Sequence, residues 1–211
     1  MRSGAESGLV AVATRLDEAT VVDGRVHADG APLTPAALET VGDDAAGLTD
    51  ATTVAAGDGT LRADDPIVVA ISPRVDGDAT PLARTFVLDG SGGWERRAAV
   101  AVEMAHDAVR RVAEPGVPAR RIADEAVAEL GAYGLAVGDG AVARGVDAGT
   151  DFSTDTPLEA GQEFVLDPTA RDPDPETDRG RVRVGEWYAV TESGCRRLGT
   201  LPASLSPAAY R

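Results

Sequence analysis

The chain has 211 residues, 43% of them hydrophobic, enough for one sizeable core and against disorder throughout. Its 35 acidic residues outnumber 20 basic ones for a formal charge of −15, and every basic residue is Arg because Lys is absent. That balance excludes nucleic acid and anionic membranes as expected partners, since both need clustered basic side chains.

The composition, rich in Ala, Val, Gly and Asp and free of Asn as well as Lys, is the one expected of a GC-rich genome and of adaptation to high salt. Screening there quenches the self-repulsion of an acidic surface. A lone Cys195 forms no intrachain disulfide, the N-terminus lacks a signal-peptide pattern, and no apolar run approaches the ~20 residues needed to span a bilayer. A cytoplasmic location is the expectation.

In chain order, Leu9, Val12 and Leu16 fall loosely at helical spacing between Ser7 and Thr20. Asp23-Gly24 and Asp29-Gly30 then supply turns. Thr34-Pro35 reads as an N-cap followed by Pro at the first helical position, opening a short helix to about Val41. From Gly42 to Asp65 the pattern predicts a loop with one strand at 52–55. Strands at 67–71 and 83–88 form a hairpin, with Asp64 and Asp65 in turn or capping roles and Asp76 and Asp78 in the hairpin loop.

Trp94 to Ala113 carries Ala98, Val102, Ala105, Val109 and Val112 at three- and four-residue spacing, a long amphipathic helix. A second helix starts after Pro118 and stops at Gly131 or Gly134. Strands are predicted at 163–166, 181–184 and 187–191, with "DPTARDPDPETDRG" a solvated loop between them. On the last strand, alternation puts one of Trp187 and Tyr188 in the core and the other outside. The Arg pairs 96-97, 110-111, 120-121 and 196-197 are read as partners for nearby acids. The element order is α+β.

Several segments, "DDPIVVAISPR", "LARTFVLDG", "GGWERRAAVAVEMAHDAV", "LEAGQEFVLDP" and "RVRVGEWYAVTESG", resemble in sequence and succession the creatinase and aminopeptidase superfamily, in its Xaa-Pro aminopeptidase and dipeptidase branch. The resemblance runs from about Leu9 to Pro202 and implies the pita-bread fold, a curved antiparallel sheet covered by paired helices. It implies a single domain over residues 1–211, with 1–60 a lead-in and 61–202 the hairpin, helices and C-terminal strands, and no separate N-terminal domain.

Members of that superfamily hold two divalent ions, such as Mn, Co or Zn, on two Asp, one His and two Glu, and the metal-bound water attacks the peptide. In this chain the five positions correspond to Ala70, Pro81, Asp139, Asp167 and Gly185. Of these only Asp139 and Asp167 could coordinate a cation, because ligation needs a carboxylate, imidazole or thiolate. Glu186, one residue beyond Gly185, should face away from the site. His106 is expected on a helix surface or partly packed, and His27 on the surface.

No phosphate loop is possible without Lys, and "DGSGGW" is a tight hairpin-to-helix connection rather than an anion site. Cys195 lacks an activating neighbour, and neither His sits near a nucleophile motif. The expectation is a degenerate, non-catalytic Xaa-Pro metallopeptidase homologue without a cofactor, retaining its scaffold to bind a ligand or protein, with a homodimer as the family's habit. The alternative is a hydrolase working through an altered, mononuclear site at Asp167 with Asp139.

Overall fold

The computed structural model describes residues 2–75, 78–146, 150–174, 176–177 and 179–211. Helix α1 (Arg2–Asp17) starts earlier than its loose periodicity suggests. It leads into a meander of β1 (Thr20–Val22), β2 (Arg25–Ala28) and β3 (Ala31–Pro32). Asp23-Gly24 and Asp29-Gly30, all at positive φ, make its two-residue turns.

Helix α2 (Pro35–Ala46) opens as its sequence requires, with the Ala37 amide donating to the Thr34 hydroxyl at 3.2 Å. It continues past Val41 because Gly42 is a contact point rather than a stop. A Cβ there would lie 2.7 Å from the side chain of Thr52, so the missing methyl lets α2 press onto β4 (Thr52–Ala55).

Next come β5 (Ile67–Ile71), the short pair β6 (Arg74–Val75) and β7 (Asp78–Ala79), and β8 (Leu82–Phe86), with sheet order β4-β5-β8. Asp76 and the side chain of Asp78 lie outside the described residues. Pairing of β8 with β5 begins at Leu82 opposite Ile71, leaving Pro81 outside the ladder. Proline has no amide hydrogen to donate there. The strand ends at Phe86 rather than Leu88, because the Val87 amide turns to the Leu205 carbonyl at 2.9 Å.

Helices α3 (Trp94–Val112) and α4 (Ala119–Ala132) form where periodicity puts them. The remainder is β9 (Ala136–Val137), β10 (Ala143–Gly145), β11 (Glu163–Leu166), β12 (Thr169–Arg171), β13 (Arg181–Arg183), β14 (Glu186–Thr191) and β15 (Gly194–Arg197), closed by a 3-10 turn at Pro207–Tyr210. These strands form two antiparallel sheets, β10-β11-β14-β15 and β9-β12-β13. Strand β12 corrects the reading of that stretch as loop throughout. Thr169 and Arg171 are too few to show periodicity, and their pairing with β13 and β9 is long-range.

The strands lie between two apolar clusters. One joins α3 and α4 to Phe164, Leu166, Val182 and Tyr188; the other joins α1 to Ile67, Val69, Phe86, Val165 and Trp187. Both Trp187 and Tyr188 are therefore buried, correcting the expectation that one is exposed. An alternating strand covered on both faces buries both of its faces.

Candidate functional site

Ile67, Val69, Ile71, Leu82 and Phe86 fill the cluster against α1, so Val68, Ala70, Ala83 and Thr85 take the other face of the β5–β8 pair. That face meets the segment joining β13 to β14. Ala83 and Gly185 exchange two backbone hydrogen bonds of 3.1 and 3.0 Å. The Thr85 hydroxyl accepts from the Arg183 amide at 2.8 Å and donates to the Arg183 carbonyl at 2.9 Å.

Asp167, just past β11, points into this junction with its side chain only 3% exposed. A Cβ built on Gly185 would lie 2.9 Å from Asp167 Oδ1 and 3.1 Å from the Ala83 Cβ, while Ala70 is paired with Ala83. The structure thus brings Ala70, Asp167 and Gly185 to one place, with Pro81 just ahead of β8. Asp139 does not enter the junction, although it lines a neighbouring cavity with Asp167: its side chain is 89% exposed and pairs with Arg171 at 3.0 Å.

The partner of Asp167 is a guanidinium. Arg183 grips both carboxylate oxygens, Nε to Oδ1 at 2.7 Å and Nη2 to Oδ2 at 2.6 Å, and Arg144 adds a contact to Oδ2 at 3.3 Å. A bidentate fork of this kind is among the stronger side-chain pairings. Burial works against the charge of Arg183, but the hydrogen bond and charge of Asp167 together outweigh it and hold its pKa above the ordinary value.

The donor set does not fit a pair of divalent ions. One carboxylate lies at the junction, already taken by two arginines, and Gly185 leaves no room there for a longer side chain, with atoms 2.9 to 3.1 Å from where a Cβ would be. Among the described residues, no three His, Cys, Asp or Glu side chains gather closely enough to hold a metal.

Glu186 turns away, as strand alternation requires. Its carboxylate accepts from Arg84 Nη2 at 2.8 Å and from Arg197 Nε at 2.7 Å. Fully buried Arg84 also donates to the carbonyls of Pro202, Ala83, Gly185 and Leu201, at 2.7, 2.8, 2.9 and 3.2 Å. This cation is structural, tying β8 to β14 and the C-terminal segment. A Cβ on Gly199 would lie 2.2 Å from Glu186 Oε1, so the carboxylate occupies the room that glycine leaves.

His106 is more buried than the expected surface or partly packed position: it is 7% exposed, with Nε2 3.0 Å from the Val184 carbonyl and Nδ1 3.0 Å from the Tyr188 hydroxyl. A carbonyl only accepts, so Nε2 carries the hydrogen and Nδ1 accepts from Tyr188. Burial pushes its pKa down to about 4. Its helical stripe gave no sign of this, because both partners come from β13–β14. His27 is half-buried on β2. Burial raises the Cys195 thiol, in keeping with an unreactive cysteine.

The residues that sequence reading missed are arginines. Arg144, Arg171, Arg181 and Arg183, with Asp139 and Asp167, line a cavity of about 210 Å³. The signal available was the alternation in "RVR", which puts Arg181 and Arg183 on one face.

Comparisons with known proteins agree with this fold. The model of metallopeptidase family M24 matches residues 41–192. A search of curated proteins gives no match. The prolidase from Pyrococcus horikoshii OT3 is similar with a TM-score of 0.76 at 17% identity, over 96% of this chain and 60% of its own. The X-Pro aminopeptidase from Thermotoga maritima MSB8 gives 0.76 at 18%, over 96% and 60%. Dipeptidase PepE from Mycobacterium ulcerans gives 0.71 at 22%, over 97% and 58%. The chain spans about 60% of the length of these structures. The family model covers well over half of the sequence, and the antiparallel sheets and paired helices are those of the pita-bread fold: this chain belongs to metallopeptidase family M24.

Proposed function

We propose that this chain is a non-catalytic M24 domain that keeps the pita-bread scaffold, as a single unit, to bind a ligand or protein. One observation carries the reading: Asp167 is held bidentately by Arg183 in the space bounded by Ala70, Ala83 and Gly185. A guanidinium supplies the positive charge that a metal would supply to an active relative, so the remaining carboxylate is neutralised without a metal. An unpaired buried carboxylate would cost several kcal/mol, and the arginine removes that cost.

The alternative, a hydrolase using Asp167 with Asp139, has in its favour that both line one cavity. Against it, each is engaged by arginine, and a divalent ion would have to displace Arg183 and Arg171. The proposal extends to a cytoplasmic, salt-adapted protein, supported by its Lys-free acidic composition and by the absence, among the described residues, of a helix long and apolar enough to cross a membrane.

The test is calorimetric titration of the EDTA-treated chain with Mn, paired with an assay of Xaa-Pro dipeptide hydrolysis in the presence of Mn, Co or Zn. The expected result is no saturable binding and no turnover. Stoichiometric Mn binding with metal-dependent hydrolysis would overturn the reading.

A further inference from the structure

The alternation of two short strands places a basic face over the junction. On β12, Ala170 enters the α3–α4 cluster, so Thr169 and Arg171 face the other way; on β13, Val182 enters it, so Arg181 and Arg183 do the same. The register sets Arg171 directly opposite Arg181 and Thr169 opposite Arg183. Like charges opposite each other across a strand pair repel. In a chain with 35 acidic and 20 basic residues, that arrangement is not a by-product of excess base.

Arg144 reaches the same cavity from β10. The pairings leave the group unbalanced. Asp167 takes Arg183 and Arg144, Asp139 takes Arg171, and Arg181 has no carboxylate within 4.0 Å among the described residues. Four guanidiniums against two carboxylates leave two positive charges around about 210 Å³. The Arg144 Nε is also buried without an acceptor. Burial, with the charges of Arg171 and Arg183, lowers the pKa of Arg181. The charge of Asp139 acts in the opposite direction but does not cancel the lowering.

We propose that Arg144, Arg171 and Arg181, steadied by the Arg183–Asp167 pair, bind a compact dianionic oxyanion of the phosphate class at the place where relatives hold metal. The excess of two charges matches a dianion, and planar guanidinium forks suit tetrahedral oxyanions. Exposed Asp139 holds Arg171 in place through their 3.0 Å ion pair. The inference rests on the reading of the site as free of metal.

The experiment is calorimetric titration of the full chain with inorganic phosphate at pH 8, at constant KCl, with and without EDTA. Saturable one-to-one binding is expected, unaffected by EDTA, competed by sulfate and not by acetate. Arg181→Gln and Arg171→Gln should each weaken it at least tenfold, with Arg96→Gln unchanged as a control. Without phosphate, Arg181→Gln should unfold at the same temperature as the parent chain or higher, because it relieves like-charge repulsion. A structural role for Arg181 would lower that temperature. Phosphate that gives no saturable heat, or binds equally to both variants, overturns the anion site while leaving the metal-free reading intact. Phosphate binding that vanishes with EDTA overturns both.

Discussion

His106 turns burial into a pH dependence. Its folded-state pKa of about 4 lies below the ordinary 6.5, because burial disfavours the imidazolium. Between those values the unfolded chain binds a proton that the folded chain refuses. The stability is therefore fully present above pH 6.5 and falls as the pH drops toward 4, by up to about 3 kcal/mol. Urea denaturation of the parent chain and of His106→Leu at pH 7 and pH 4.5 should show a smaller acid loss in the variant, by roughly 2 kcal/mol. Equal losses would refute the assignment. Leu removes both hydrogen bonds and lowers stability at either pH, so the comparison is of the pH-dependent part alone. The sequence placed His106 on the long helix, but neither its burial nor its partners on the strands was legible there.

Helices α1 and α2 cross where glycines allow it. A Cβ on Gly8 would lie 2.4 Å from Ile71 Cδ1 and 2.7 Å from the Gly42 carbonyl, and one on Gly4 would lie 2.7 Å from the Ala46 carbonyl. The isoleucine tip can move, but the backbone carbonyl cannot do so cheaply. Gly8→Ala should therefore destabilise by about 1–3 kcal/mol, and adding Ile71→Val should recover only part of it. Chemical denaturation of the single and double variants checks this, and an unchanged midpoint for Gly8→Ala would contradict the close crossing. The contrast with β12 is instructive. Helices α2, α3 and α4 were legible because caps and 3.6-residue periodicity are local, whereas β12 forms from three residues through pairing with β13 and β9.

Across the whole molecule the charge of −15 is spread over a surface whose arginines are largely engaged. Arg62, Arg110, Arg120 and Arg121 pair with acids at short sequence separation, while Arg84 and Arg197 are committed to Glu186. Exposed pairs contribute little each, so the acidic excess remains. Raising KCl from about 0.1 M to about 1 M shortens the screening length from ~10 Å to ~3 Å, and the melting temperature should rise. A melting temperature that falls or stays constant over that range would count against salt adaptation.

By itself the sequence determined the family resemblance, the paired helices, the second hairpin strand starting after Pro81, and that Ala70, Pro81 and Gly185 carry no group able to ligate a cation. Each of these is a local pattern or a residue's chemical identity. Only the tertiary structure decided that Asp167 is gripped by Arg183, that Arg171 stands opposite Arg181, and that His106 and both Trp187 and Tyr188 are buried. Those facts depend on strand register and on which layers cover a strand. Both are set by contacts between residues far apart in the chain, which no local spacing records.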